Sequence, residues 1–287
     1  LKGVTVKGIV SIVMVAALSC GASSAFAQSR PLETQDPETV PSGHMLVETG
    51  VDYQHQVTYP ASGLTGNLWR VATFGMSFGV SPIAEIQLDG GVHNFLDITK
   101  FAAAPLSPML TLTNNHTSDF EDLTIGAKIK FLHETASQPA MSVRFWTRLP
   151  NAGNESGLGL DTTDFNFNVN IGKTIQSVRI VGNIGFGILG DPARGDSQND
   201  VLNYGFSVAR AVRNGLELVG EIYGRENTRA NTPPVGTESR SVARIGGRYT
   251  TGPVRFDAAF LFGITQLDPT WGFTVGLTYV FKAFDVQ

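Results

Sequence analysis

The residues of this chain that could do chemistry recur as like-charged pairs two or four positions apart. Glu48 and Asp52, Glu85 and Asp89, and Glu217 and Glu221 are acidic; Lys128 and Lys130, Arg144 and Arg148, and Arg244 and Arg248 are basic. Even spacing places both members of a pair on one face of a β-strand. Arg225, Arg240, Arg255 and Asp257 share that face. Two chemistries fit the arrangement. Neighbouring strands of opposite sign can pair across a sheet and stiffen it. Around a narrow passage the same charges set up a transverse field that orients dipolar solutes or selects ions. Trp69, Trp146 and Tyr223 are assigned to the same face, where rings either stack on an aromatic solute or fill volume.

Catalytic and metal chemistry have less to stand on. The histidines are His44, His55, His93, His116 and His133, and no two lie two or four residues apart. The one cysteine is Cys20, so neither a metal nor another cofactor is expected. Only His116 has a serine two positions on, Ser118, with Asn114 and Asp119 nearby. A phospholipase of the outer-membrane type would need such a pair facing lipid, with a third residue orienting the histidine. Parity along the strand expected here turns both inward, so no catalytic residue is assigned. The Gly-rich GNIGFGILG at 182–190 alternates with apolar residues instead of opening a helix, and reads as a strand rather than a nucleotide loop.

The elements that carry these residues follow from strict alternation. Ala84, Ile86 and Leu88 alternate with Glu85, Gln87 and Asp89; Phe165, Phe167, Val169 and Ile171 alternate with Asp164, Asn166, Asn168 and Asn170. Twelve strands are predicted, at 44–57, 67–80, 83–95, 119–132, 139–149, 162–173, 177–190, 199–211, 215–226, 239–250, 253–266 and 271–281. Connections alternate between short, as at Ser81-Pro82 and Thr251-Gly252, and long, as at 96–118 and 150–161. A greasy face repeated along the whole chain needs a greasy solvent, and the rhythm of turns and loops is that of a barrel threaded from one side of an outer membrane. The expected fold class is all-β, a transmembrane antiparallel up-and-down barrel over 44–281. Its lipid face includes Ile125, Ile129, Phe131, Phe256, Phe260 and Phe262, with Phe78, Tyr249, Tyr279 and Phe281 near the interfaces. Arg70 interrupts the outward pattern and is placed to snorkel near the long-loop end. Linker 96–118 is unusually apolar. Either it folds into the mouth, with Phe101, Leu106, Met109 and Leu110 as a constriction, or Met109 to Thr113 extends strand four.

Composition agrees. A mean hydropathy of +0.03 over 287 residues is too low for a helical membrane protein and suits strands that are half polar. A net charge of -4 gives no reason to expect a nucleic-acid partner. Residues 1–27 read as a signal peptide: Lys2 and Lys7, an apolar run over 8–18, and the small-x-small site Ala25-Phe26-Ala27. Ala17-Leu18-Ser19 before Cys20 makes a poor lipobox. Residues 28–43, QSRPLETQDPETVPSG, read as an exposed periplasmic lead-in. The last strand has the aromatic alternation by which the barrel-assembly machinery receives its clients, followed by a short tail, 282–287.

Two stretches carry a family likeness: RPLETQDPETVPSGHMLVETG at 30–50, and DFEDLTIGAKIKFL at 119–132 with the strand end RLPNAGNESGLGLDTTDF at 148–165. Together they resemble the outer-membrane family labelled "putative MetA-pathway of phenol degradation", whose members are described as transporters. The resemblance implies a barrel channel for small organic solutes and maps no individual binding residue. The expectation is therefore a passive outer-membrane channel for small apolar or aromatic solutes. The partners expected are outer-membrane lipid, the assembly machinery and the solute. A phospholipase-type enzyme or a structural barrel is the alternative.

Overall fold

The computed structural model describes residues 29–286; the expected signal peptide lies outside them. The strands are β1 (His44–Tyr59), β2 (Leu64–Ser81), β3 (Ala84–Phe101), β4 (His116–Asp119), β5 (Thr124–Leu132), β6 (Ala140–Arg148), β7 (Asp164–Ile175), β8 (Val178–Gly190), β9 (Gln198–Arg213), β10 (Leu216–Asn227), β11 (Arg240–Thr251), β12 (Val254–Gly263) and β13 (Trp271–Lys282). Each pairs antiparallel with its neighbours, and β1 pairs with β13 as well as β2, which closes the sheet. Both β4 and β5 pair with β3 in one register, Asp97 facing His116 and Asp89 facing Thr124. They are two pieces of one wall strand broken at 120–123, so the barrel is twelve-stranded, as the alternation predicts.

The wall is inverted relative to a soluble protein. Ile245, Phe260 and Leu218 on the outside are 63%, 59% and 57% exposed, while Lys128 and Glu85 on the inside are 0% exposed. Only hydrocarbon makes that distribution favourable. Turns at one end are tight: Asn214-Gly215 joins β9 to β10 in two residues, with Gly215 at φ 75 supplying the left-handed backbone the reversal needs. Connections at the other end are longer, as at 102–115, 149–163 and 228–239.

Bulges correct several face assignments, because one extra residue reverses every side chain beyond it. The β1–β2 register shifts at Ala72, which has φ 53, and again near Gln56, which has φ 55. Beyond Ala72 the faces of β2 exchange. Arg70 does not snorkel; it points inward and pairs with Asp52 at 2.8 Å and Glu121 at 2.5 Å. Trp69 is not in the lumen; it lies on the outer surface against Tyr53, ring centroids 4.8 Å apart, in an external aromatic group with Trp271 and Phe273. The break at 120–123 does the same to strand four. Thr117 sits opposite the buried Leu96, so His116 and Ser118 face outward rather than inward.

The lead-in is not exposed. Residues 29–43 run inside the barrel, with Leu32, Thr34, Thr39 and Val40 buried. The physical reason is the charged inner wall, whose polar groups need partners that water cannot supply in so narrow a space. Glu85 shows the arrangement. Its carboxylate accepts the Val40 backbone N–H at 2.5 Å and the Gln87 side-chain amide at 2.7 Å, and pairs with Lys128 at 3.1 Å. Lys128 Nζ in turn donates to the Asp36 carbonyl at 3.0 Å.

Removing one member of such a buried pair strands the other charge, which costs about 3–5 kcal/mol. Glu85→Gln and Lys128→Met should each lower the urea midpoint of the detergent-folded barrel. The double variant should lose clearly less than the two losses added. Additive losses would show that the pair is not coupled.

Candidate functional site: the barrel interior and its lead-in

Side chains of the wall hold the lead-in as an extended peptide. Three prolines, Pro31, Pro37 and Pro41, remove three of its backbone donors and bar it from a helix. Much of its remaining backbone is met from the wall. Glu221 accepts the backbone N–H of Glu33 at 2.9 Å and of Thr34 at 2.9 Å, and the Thr34 hydroxyl at 2.7 Å. Asn183 clasps Gln35 as a strand partner would, accepting from its N–H at 2.7 Å and donating to its carbonyl at 2.9 Å. A β-carbon on Gly205 would lie 3.1 Å from the Thr34 hydroxyl, so a glycine at that wall position makes the seat.

Charges complete the fit. Glu38 pairs with Lys130 at 2.7 Å, Asp36 with Arg179 at 2.7 Å, Glu33 with Arg244 at 2.9 Å and Arg30 with Asp257 at 3.5 Å. Arg30 also donates to Thr274 at 2.7 Å, lying over Gly50 and Gly276, which face each other across the β1–β13 seam. On the β5–β6 turn, outside the wall, Glu134 binds the other side of Arg179 and the Thr174 N–H at 2.7 Å. Burial works against its charge, but the Thr174 N–H and the Arg179 guanidinium hold its carboxyl below the ordinary range.

The twelve charged residues that form the like-charged pairs of the sequence lie on the inner wall. Cross-strand pairs join Glu85 to Lys128, Asp89 to Arg144 at 3.2 Å, and Glu221 to Arg244 at 3.8 Å. Asp52 pairs instead with Arg70, and Glu217 with Arg255 at 3.8 Å. Arg148 is bound by Asp122 and by Asp164 at 2.6 Å, and Arg248 donates to the lead-in carbonyls of Arg30 and Ser29. Glu48 accepts the Arg30 N–H at 3.3 Å. Sequence reasoning missed the lead-in's own contributors, Arg30, Glu33, Asp36 and Glu38, and the wall residues Arg179 and Asn183 that meet them. The available signal was the conjunction of alternating charge with three prolines just ahead of the first strand.

Two spaces remain. A cavity of about 540 Å³ lies between the lead-in and the long loops, lined by Glu33, Gln35, Arg144, Trp146, Tyr223 and Arg225 among others. A second, of about 260 Å³, runs beside the lead-in past Asp52, Arg70, Asp89 and Glu121. Glu33, Gln35, Arg144 and Trp146 line both, and the Arg144 guanidinium lies 4.4 Å from the Trp146 ring centroid. Toward the short-turn end the packing is solid: Val40, Glu85, Lys128 and Thr278 are fully buried. The loop residues Phe101, Leu106, Met109 and Leu110 do not converge. Leu106 is buried and Leu110 packs on the Val57, Leu64, Leu68 and Leu96 cluster, whereas Phe101 and Met109 are exposed. Met109 closes a short 3-10 turn, Ser107–Met109, and does not extend strand four.

Outside, His116 Nδ1 lies 2.6 Å from Asp97, but no hydrogen bond joins Ser118 to the ring, so the serine has no base to activate it. Among the described residues no group of three potential ligands gathers around a metal-sized space.

A closed, lipid-faced, twelve-stranded wall around a polar interior defines an outer-membrane β-barrel. The family model described as "Putative MetA-pathway of phenol degradation" matches residues 28–281, and the chain belongs to that family. Among solved structures, the fold is similar to an outer-membrane channel from Pseudomonas putida F1, at 14% identity and a TM-score of 0.59, over 86% of this chain and 98% of that one. A translocator domain of the autotransporter NalP from Neisseria meningitidis aligns at 10% identity and a TM-score of 0.49, over 82% of this chain and 88% of the other. No curated protein matches the chain.

The seat of the lead-in can be tested by cross-linking. In a background carrying Cys20→Ser, the pair Thr34→Cys and Gly205→Cys should form a disulfide on oxidation, visible as a shift on a non-reducing gel of unfolded protein. Free thiols that react with maleimide in the folded barrel would place the lead-in elsewhere.

Proposed function

We propose that the barrel is a passive channel for small apolar or aromatic solutes, with residues 29–43 as an internal plug that must shift for passage. The observation that carries this reading is the pair of adjoining cavities left beside the plug. A barrel meant only as a scaffold gains by filling such space. The upper cavity combines rings, Trp146 and Tyr223, with leucines, Leu158 and Leu160, and with a few directional polar groups, which is the usual makeup of a small-molecule site. Glu48, Asp52, Glu85, Asp89, Lys128, Lys130, Arg144, Arg148, Glu217, Glu221, Arg244 and Arg248 would line the path once the plug moves. Movement would be down a gradient, with no chemical step. Residues 1–27 would direct export, and the last strand would be the contact with the assembly machinery.

The plug is held by many individually modest contacts rather than one deep apolar interface, so its displacement can be gradual. The test is conductance in planar bilayers and uptake of labelled phenol by liposomes. Deleting residues 29–40 should raise conductance several-fold. The oxidised Thr34→Cys/Gly205→Cys variant should conduct less than the same protein after reduction. A barrel that neither conducts nor admits phenol, even without residues 29–40, would leave only a structural role.

A further inference from the structure

We infer that the upper cavity is a binding site for a compact aromatic monoanion, an arene carboxylate, whose carboxylate is received by Arg225. This deepens the channel reading, which supplies the route by which such a solute arrives; binding itself needs no route.

The argument is one of unmatched charge. Four arginines line the cavity, Arg144, Arg148, Arg225 and Arg240, against two carboxylates, Glu33 and Asp164. Both carboxylates are already engaged, Glu33 by Arg244 at 2.9 Å and Asp164 by Arg148 at 2.6 Å. Three of the arginines have carboxylates of their own. Arg144 has Asp89 at 3.2 Å, Arg148 has Asp122 and Asp164, and Arg240 has Asp268 at 3.8 Å. Arg225 has none within 4.0 Å among the described residues.

Arg225 is nevertheless held firmly. Its Nε donates to the Glu238 carbonyl at 3.0 Å and its Nη2 to the Gly236 carbonyl at 2.9 Å. Two backbone carbonyls fix the guanidinium plane without neutralising it, and leave Nη1 without a partner among the described residues. A fixed, uncompensated guanidinium in a confined space is a receptor for a carboxylate, the group whose geometry it matches. The nearby Glu238 carboxylate does not serve, because it is turned back onto the Gly236 N–H at 3.0 Å.

The rest of the lining selects what the carboxylate is attached to. Tyr223 is two residues from Arg225 on the same inward face of β10, and its hydroxyl accepts from Arg244 at 3.1 Å, which fixes the ring. Trp146 is fixed in turn by Arg144. Two immobilised rings offer flat apolar faces at little cost in side-chain freedom. Leu158 and Leu160 cover the space from the β6–β7 loop, and a volume of about 540 Å³ accommodates a single-ring solute with ordered water.

The test is calorimetric titration of the folded protein in detergent with benzoate, with benzyl alcohol as its neutral analogue and acetate as an anion without a ring. Benzoate should bind saturably, and the other two should bind at least roughly tenfold more weakly, about 1.4 kcal/mol each. Arg225→Gln should abolish the preference for benzoate over benzyl alcohol, while Arg225→Lys should retain part of it. Heat-modifiable gel mobility verifies that each variant is folded. Equal binding of benzoate and benzyl alcohol, no benzoate binding, or undiminished discrimination in a folded Arg225→Gln barrel would each overturn the inference. Should Arg225→Gln fail to fold, loss of the preference on reversing the solute's charge to benzylammonium, with the native protein, decides the same point: tighter binding of the cation overturns it. Benzoate binding without conductance would refute the channel reading and leave this site standing.

Discussion

Closure of the β1–β13 seam is the constraint from which the other features follow. In hydrocarbon an unpaired strand edge exposes N–H and C=O groups that nothing else can satisfy. Pairing runs from His44 opposite Lys282 to His55 opposite Trp271, so the wall has no free edge along that seam. Once it is closed, alternation sends half of every strand into a confined interior. Charges placed there lie close to one another and far from bulk water, and each must find a partner within the barrel.

The lead-in is how this chain meets that demand. The wall pairs part of its own charge, as Glu85 does with Lys128, but Arg179 meets Asp36 and Lys130 meets Glu38 only because residues 29–43 come inside. Backbone donors of the lead-in and wall carboxylates satisfy each other in the same way at Glu221 and at Glu85. A peptide seated through polar contacts to many strands fills the lower interior and leaves the upper part open. The cavities, and the Arg225 guanidinium that lines the upper one, are the remainder of an incomplete charge match.

Local irregularity decides which side chains take part. A bulge at Ala72 moves Arg70 from lipid to lumen and Trp69 from lumen to lipid. An interruption at 120–123 moves His116 and Ser118 outward, and frees Glu121 and Asp122 to reach Arg70 and Arg148. Arg70 marks one such place as a break in the alternation, but not its cause, since an inserted residue in a strand of mixed polarity leaves a pattern that can be read in either phase.

What the sequence determined by itself was what an unbroken period of two carries: the ribbons, their number, the rhythm of turns and loops, and the inward face of Glu85, Lys128, Arg144 and Arg244. Those follow from neighbours along the chain and from the solvent each face requires. Only the tertiary structure decided where the lead-in goes and which charges it answers. Arg30 and Thr274 lie 244 residues apart, and Glu33 and Glu221 lie 188 apart. A short, proline-broken, polar segment carries no periodicity of its own, and its place is set by the vacant partners that a closed barrel presents, which do not exist until the barrel has closed.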